Sequence, residues 1–281
     1  VDPTLPDGNT TEGDWIFVNV SADDTFSDVS TFVDFDDSLV SWWRMDDLNA
    51  SGSVVDYTGR RDCSPNFDAV QVDDGYMGKA FHFDGEYDHL DCGEPLVLGE
   101  RFGFGAWVYL ENNVSPWGIL IDGDANAYGF RSRIQTNGEL YFRVSDGSST
   151  DAATGGSVPV RNWTHVYVDY LNATYAAGYV DGELAFNDTS IGAVDFSGSQ
   201  VLQVGSAYNG LSEPMNGSLD DVMVFNRTLS AAEVSALYAN TSPVILERNF
   251  TSLSAGEYSF KAYAQDRAGN VNATGERSVD V

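Results

Sequence analysis

Short segments in which apolar and polar residues alternate run through most of the chain. They are separated by clusters of Gly, Asn and Asp, and they include residues 15–20, 102–110, 139–144, 164–171, 177–180 and 201–204. A period of two puts alternate side chains on opposite faces of an extended segment, so this pattern predicts many short antiparallel strands. Asn137-Gly138 and Asp181-Gly182 lie between such segments and predict two-residue hairpin turns. The fold class predicted from the pattern is all-β.

One segment has helical spacing instead. Ser230 and Glu233 have the spacing of a capping box, and Leu229, Val234 and Leu237 recur on one helical face. The sequence therefore predicts a single short helix that begins at Ser230 and ends near Asn240.

The charge of the chain excludes several kinds of partner. The formal net charge is −29, from 43 acidic and 14 basic residues. Such a field repels nucleic acid and anionic membranes and attracts cations. No apolar run approaches the roughly 20 residues of a membrane-spanning helix, so direct membrane insertion is not expected. An acidic, lysine-poor surface is tolerated best in high salt, which favours a halophilic source.

Asn-X-Ser/Thr acceptors are dense, and the chain opens at Val1 without a charged and apolar leader. We therefore expect a mature or excised extracellular glycoprotein at a cell surface. The predicted acceptors are Asn9, Asn19, Asn49, Asn162, Asn172, Asn187, Asn216, Asn226, Asn240, Asn249 and Asn272. The two cysteines, Cys63 and Cys92, form either one disulfide or two buried free thiols.

Two composition shifts divide the chain. An acidic stretch ends near residue 37, and a Ser-Pro stretch follows the predicted helix near residue 243. We expect one unit at 38–243, with two short flanking pieces at 1–37 and 244–281. Neither piece is long enough to bury a sandwich core alone.

The central unit carries a series of motifs in a consistent order. They are Leu39-Val-Ser-Trp-Trp-Arg-Met-Asp46, Gly78-Lys-Ala-Phe-His-Phe-Asp-Gly85, Asn162-Trp-Thr-His-Val166 and Gly217-Ser-Leu-Asp-Asp-Val-Met-Val-Phe225. This series resembles the LamG-like jelly-roll domains of the concanavalin A-like lectin/glucanase superfamily. The resemblance implies a two-sheet β-sandwich, with most of the aromatic residues in its core.

The same resemblance implies a calcium ion at one edge of the sandwich. Carried over to this sequence, the ligands are Asp220 or Asp221 and Asp56, with carbonyls near Thr58 or Gly85. Calcium takes six to eight oxygen ligands, which these residue types supply. Arg60-Arg61 departs from the family pattern and opposes a cation nearby. Alternatively, these aspartates are solvated or form turns.

The two flanking pieces resemble the early and late strands of Ig-like surface repeats. The strands expected at 15–20 and 29–35 are early ones, and Tyr258 to Asn270 resembles the late strands. We therefore expect one split Ig-like β-sandwich from residues 1–37 and 244–281, with the jelly roll inserted in a loop. Some archaeal surface proteins have this arrangement. Alternatively, the end strands pair with neighbouring molecules and build a fibre.

Catalysis finds little support in the sequence. His82, His89 and His165 have no Ser/His/Asp order or zinc spacing around them, and no paired-carboxylate run typical of sister glycosidases is present. We expect a non-enzymatic structural or adhesive surface protein. It is a repeat or subunit of a filament or layer that contacts copies of itself, neighbouring surface proteins or glycans. The alternative is a carbohydrate-binding, lectin-like module, which exposed aromatics would favour.

Overall fold

The computed structural model describes residues 14–25, 28–93, 98–112, 117–123, 128–198, 201–207, 213–238 and 244–281. The first strands are β1 Trp15–Ala22, β2 Val29–Phe35, β3 Leu39–Leu48, β4 Val54–Asp56, β5 Ser64–Asn66, β6 Val70–Val72, β7 Ala80–Asp84, β8 His89–Asp91, β9 Arg101–Leu110, β10 Trp117–Asp122 and β11 Tyr128–Gln135. They are followed by β12 Leu140–Asp146, β13 Thr150–Gly155, β14 Trp163–Leu171, β15 Tyr175–Val180, β16 Glu183–Asp188, β17 Gln203–Val204, β18 Asn216–Phe225, α1 Ala231–Leu237, β19 Val244–Thr251, β20 Glu257–Asp266, β21 Val271–Ala273 and β22 Arg277–Asp280. The all-β prediction is confirmed.

The chain divides into two compact units. The central unit is Val40–Thr228, and the end unit combines Val1–Leu39 with Leu229–Val281. Helix α1 therefore lies in the end unit and not in the central unit, where it was predicted. The helix packs on β2 and β19, and Ala236 belongs to the end unit's core. Its predicted capping box is present, with Ser230 and Glu233 bonded reciprocally.

The central unit is a sandwich of two large sheets. One sheet has seven strands in the order β13-β12-β11-β10-β17-β8-β5. The other has nine, with β16-β15-β14-β9-β18-β3-β4 along its main path and β7 and β6 attached through β18. Aromatic side chains from both sheets interlock in the core between them, such as Phe102 and Phe104 from β9 against Phe130 and Phe142. This is the layered packing expected of a jelly roll.

The two predicted hairpin turns have different outcomes. Asp181-Gly182 is a two-residue loop with both residues at positive φ, as predicted. The turn at Asn137-Gly138 is one residue longer than predicted, because Gln135 bonds to Glu139 and Gly138 bonds back to Gln135. Gly138 at φ 82° completes the bulged three-residue loop.

Cys63 and Cys92 are joined by a disulfide. Cys63 forms an isolated bridge with Val54 of β4, at the edge of the nine-stranded sheet, and Cys92 directly follows β8 of the seven-stranded sheet. Cys63 also directly precedes β5, and the register of β5 with β8 sets it opposite Cys92, so the bond joins these two neighbouring strands at the edge of the seven-stranded sheet.

The end unit has its own core, to which β1, β2, β19, β20 and α1 contribute apolar side chains. β1 pairs with β19 as one sheet, and β2, β20, β21 and β22 form the other. The hydroxyl of Tyr258 donates to the carbonyl of Ser254 at 3.0 Å, the contact that a tyrosine corner makes. An Ig-like relationship of this unit stays a prediction.

Candidate functional site

Asp56, the first predicted calcium ligand, is engaged with the protein itself. It is buried at the end of β4, and its Oδ1 accepts the backbone N–H groups of Trp42 at 2.9 Å and Thr58 at 3.0 Å. Its Oδ2 accepts the Thr58 hydroxyl at 2.9 Å. These bonds are those of a carboxylate that fixes a turn, the alternative reading of the aspartates.

Asp220 and Asp221 lie at an irregularity in β18, where Asp221 has a φ of 48°. Asp221 accepts the indole N–H of Trp42 at 2.7 Å. Asp220 is fully buried and accepts the backbone N–H of Met77 at 2.8 Å through Oδ2, while its Oδ1 has no hydrogen-bond partner. Burial, followed by the charge of Asp221, raises the pKa of Asp220 well above its usual value.

The fold keeps Gly85 away from these carboxylates. Gly85, at φ 88°, packs against Asn216 at the start of β18, where an added Cβ would come within 2.9 Å of the Asn216 side chain. Asp220 is four residues further along that strand, about 13 Å away at the usual rise per residue. In the part of the chain that the structure describes, no three His, Cys, Asp or Glu side chains converge to hold a metal ion. The described carboxylates thus do not form a calcium cage as they stand, and calcium binding stays a prediction.

The arginines that depart from the family pattern bond to backbone carbonyls. Arg61 donates to the carbonyl of Cys92 at 3.3 Å, and Arg60 lies 3.5 Å from that of Val40. His89 is buried, with Nδ1 2.9 Å from the carbonyl of Tyr87. The buried imidazole of His165 has its pKa lowered to about 3 by burial, as suits a structural residue.

The predicted glycan acceptors that the structure describes are all at least partly exposed. They are Asn19, Asn49, Asn162, Asn172, Asn187, Asn216, Asn226, Asn249 and Asn272. Asn9 and Asn240 lie outside the described residues.

A polar row crosses the outer face of the seven-stranded sheet, on the side away from Phe130 and Phe142. Directly opposite residues share a face of an antiparallel sheet. The strand register places these residues in one row: Asp91, Gln203, Asp122, Arg131 and Arg143. The row is therefore built by five strands and was not predicted from the sequence.

A charge network holds the centre of this row. Arg131 is buried and binds Asp122 through two bonds, at 2.9 and 3.2 Å. The carboxylate of Glu213 forms ion pairs with Arg131 at 3.3 Å and with Arg133 at 2.6 Å. Burial raises the pKa of Asp122 to about 6, against the opposing effect of Arg131. The carboxylates offset the repulsion between the directly opposed Arg131 and Arg143.

Tyr141 adds an aromatic face to the network. The guanidinium of Arg133 lies 4.2 Å from the centroid of the half-buried Tyr141 ring, within the range of a cation–π contact. Guanidinium, carboxylate and phenol groups at one place can donate to and accept from hydroxyl groups.

A pair of exposed aromatic rings lies beside the same sheet. Phe67 follows β5 and is 67% exposed, and Tyr87 precedes β8 and is 50% exposed. Their ring centroids are 5.7 Å apart, and the ring of the buried His89 lies 5.8 Å from Phe67. Phe67 has a φ of 59°, a left-handed conformation that is unfavourable for a bulky residue. Strain of this kind is concentrated at functional sites.

Asp88 fixes the two loops that carry the aromatic pair. Its carboxylate is buried and accepts the backbone N–H of Asp68 at 2.8 Å and that of Asp84 at 3.0 Å. Burial raises its pKa. One carboxylate thus ties the segment after Phe67 to the segment before Tyr87.

These features define a lectin-like sandwich with an exposed aromatic pair and a polar face. The chain belongs to the concanavalin A-like lectin/glucanases superfamily, whose Laminin_G_3 model matches residues 84–235, more than half of the chain. A search of curated protein sequences finds no match.

Several solved structures have a similar fold. Domain 4 of AbnA, an extracellular arabinanase from Geobacillus stearothermophilus in complex with arabinotriose, has a TM-score of 0.58 and 17% identity, and covers 72% of this chain and 98% of that one. The receptor binding domain of botulinum neurotoxin mosaic serotype C/D has a TM-score of 0.56 and 14% identity, and covers 72% and 51%. The binding domain of Paraclostridial Mosquitocidal Protein 1 has a TM-score of 0.56 and 14% identity, and covers 72% and 52%. The chain thus spans about half the length of the toxin domains. At these identities the likeness shows the fold.

No helix in the described residues is both long and apolar enough to cross a membrane.

Proposed function

We infer that the chain is an extracellular, non-catalytic glycan-binding module that serves adhesion at a cell surface. The observation that carries this proposal is the exposed Phe67–Tyr87 pair. Aromatic rings are normally buried in a sandwich core, and here two bulky rings stand in solvent side by side. Such rings can pack against the apolar C–H face of a sugar.

The polar row supports a site longer than one sugar. β11, which carries Arg131 and Arg133, is separated from β8 by β10 and β17. Three strand spacings correspond to roughly 14 Å. An oligosaccharide that lies across the strands would stack on Phe67 and Tyr87 at one end. Its hydroxyl groups would bond with Arg133 or Glu213, which are partly exposed, towards the other.

The similar structures support sugar binding as a use of this fold. Domain 4 of the arabinanase is described in complex with arabinotriose, and a botulinum neurotoxin DC binding domain is described in complex with SialylT. Neither ligand is assigned to this chain. Its fold is suited to sugar binding, and the exposed rings of Phe67 and Tyr87 supply a surface on which a sugar can stack.

A glycan array followed by titration of the best ligand tests the proposal. We expect binding by the wild type, and a loss of at least tenfold in affinity when Tyr87 is changed to Ala, because a stacked ring is removed. Leu184→Ala is the matched control, since Leu184 is equally exposed on the other sheet, at 57%. Absence of any glycan ligand, or equal effects of both variants, would overturn the assignment.

A role in assembly is a second candidate. β1 and β19 are each eight residues long and pair only with each other in the described chain, which leaves one edge of each open. Long open edges accept strands from other molecules. Light scattering over a range of protein concentrations would detect such self-association, and a monomer at all concentrations would reject this candidate.

A further inference from the structure

The outward face of the β1–β19 sheet carries exposed aromatic residues. Trp15 is 45% and Phe17 is 37% exposed, whereas the intervening Ile16 and Val18 point into the core of the end unit. Trp15 and Phe17 are at alternate positions of β1 and therefore share its outward side.

The same face carries a glycan acceptor next to these rings. Phe17, Asn19 and Ser21 are at alternate positions of β1 and therefore share its outward side. Neighbours two residues apart on a strand are about 7 Å apart. A sugar attached to the Asn19 amide therefore begins close to the side chain of Phe17.

We propose that Asn19 is N-glycosylated and that its first sugar packs on the ring of Phe17. The donor is an oligosaccharide on a polyprenyl diphosphate. The amide nitrogen of Asn19 forms a bond to C1 of the sugar and gives up one proton. The bond between C1 and the phosphate oxygen breaks, and the polyprenyl diphosphate leaves. No oxidant or reductant takes part.

The hydrogen bonding of Asn19 is compatible with this product. Its Nδ2 donates to Glu247 Oε1 at 3.2 Å at the protein surface. An asparagine amide has two N–H hydrogens, and the glycosylated amide keeps one. The bond to Glu247 can therefore persist and hold the amide plane on the outward face.

Two other described acceptors also lie near an aromatic residue. Asn249 lies on the same sheet face and directly opposite Phe17 in the register of β1 and β19, but the residue two positions before it along its own strand is Glu247. Asn172 follows Tyr170 at the same spacing, but that ring is buried in the central core. Asn19 is thus the acceptor, among those in the described residues, with an exposed aromatic ring two positions earlier.

The test begins with the full chain secreted from eukaryotic cells that N-glycosylate their proteins. Mass spectrometry of the β1 peptide is expected to show a glycan on Asn19, and an unmodified Asn19 on the secreted protein would overturn the proposal.

Packing is tested by a double-mutant cycle on the melting temperature. Asn19→Gln is expected to lower the melting temperature of the glycoprotein by about 3 °C, and to leave it unchanged in a Phe17→Ser background. Ser21→Ala removes the acceptor but keeps the Asn19 side chain, and it should reproduce the result. Asn272→Gln is the control, since Asn272 is an exposed acceptor of the same unit that has Asn270 two positions before it. Equal losses with and without Phe17 would show that the glycan does not pack on the ring.

Discussion

The carboxylate of Asp88 accepts the backbone N–H of Asp68 at 2.8 Å, across 20 residues of sequence. Because Asp88 also accepts the N–H of Asp84, a single buried side chain sets the separation of the loops that present Phe67 and Tyr87. The aromatic pair therefore depends on a residue that no ligand would touch.

Asp88→Ala is expected to weaken glycan binding and to lower stability together. It leaves two backbone N–H groups without their acceptor, which costs about 1–3 kcal/mol each where the group stays buried. Asp88→Asn keeps one acceptor oxygen. Its glycan affinity and its stability should therefore lie between those of Asp88→Ala and those of the wild type. Urea unfolding and ligand titration measure the two effects. Full binding by Asp88→Ala would contradict the positioning role.

Phe67→Gly is expected to separate binding from stability. Glycine adopts a φ of 59° freely, whereas the left-handed conformation costs other residues about 1–2 kcal/mol. The ring of Phe67 is mostly exposed, so little burial is lost with it. The variant should unfold at an equal or higher urea concentration and bind glycan at least tenfold more weakly. A destabilised Phe67→Gly that still binds would reject both arguments.

The Asp220→Asn variant tests two roles for Asp220. In one it is a calcium ligand, and in the other it is a buried carboxyl group whose charge nothing compensates. A raised pKa means that the charged form destabilises the fold, so stability is full at low pH and declines as the pH rises through the folded-state pKa. Without calcium, the neutral Asn should therefore raise the melting temperature at pH 7.

Calcium reverses this comparison if the predicted site exists. The wild type should then melt at a higher temperature in calcium than in EDTA, and Asp220→Asn should lose that difference, while the exposed Asp74→Asn should keep it. Identical wild-type melts in calcium and in EDTA would contradict the calcium prediction.

His165→Gln is expected to flatten the acid side of the stability profile. The folded-state pKa of His165 is about 3, below the ordinary value of 6.5. The neutral ring therefore stabilises the fold fully above pH 6.5. This contribution falls by up to about 1.4 kcal/mol per pH unit as the pH drops towards 3. Urea midpoints of wild type and variant between pH 4 and 8 should converge at low pH. Parallel profiles would show that His165 is not the group that titrates.

Most of the fold was predictable because its signals are local. Alternation marks β1, β9 and β14, and the capping box of Ser230 and Glu233 marks the start of α1. The unit to which α1 belongs was not predictable in this way, since it depends on which core accepts the apolar face of the helix.

The contact between Arg133 and Tyr141 was missed through one residue of turn length. A two-residue loop at Asn137-Gly138 would have placed Arg133 opposite Phe142. The three-residue loop places it opposite Tyr141 instead. A slip of one residue moves every side chain to the other face of a strand. The predicted turn thus hid the cation–π contact.

The aromatic pair and the predicted metal ligands depend on tertiary contacts. Phe67 and Tyr87 are 20 positions apart and meet only when β5 pairs with β8. Gly85 was assigned to the calcium site by family resemblance, but the pairing of β7 with β18 carries it away from Asp220. Neither relationship can be derived from the spacing of residues in the sequence.

The pairing of β2 with β20 has a consequence for biosynthesis. Val29 pairs with Asp266, so the ladder closes only after the whole central unit has left the ribosome. At about 5–20 residues per second, β2 waits at least ten seconds for its partner. The sandwich encoded between them can fold during that delay, before the ladder closes. The end unit can therefore be completed only after the chain has been synthesised through β20.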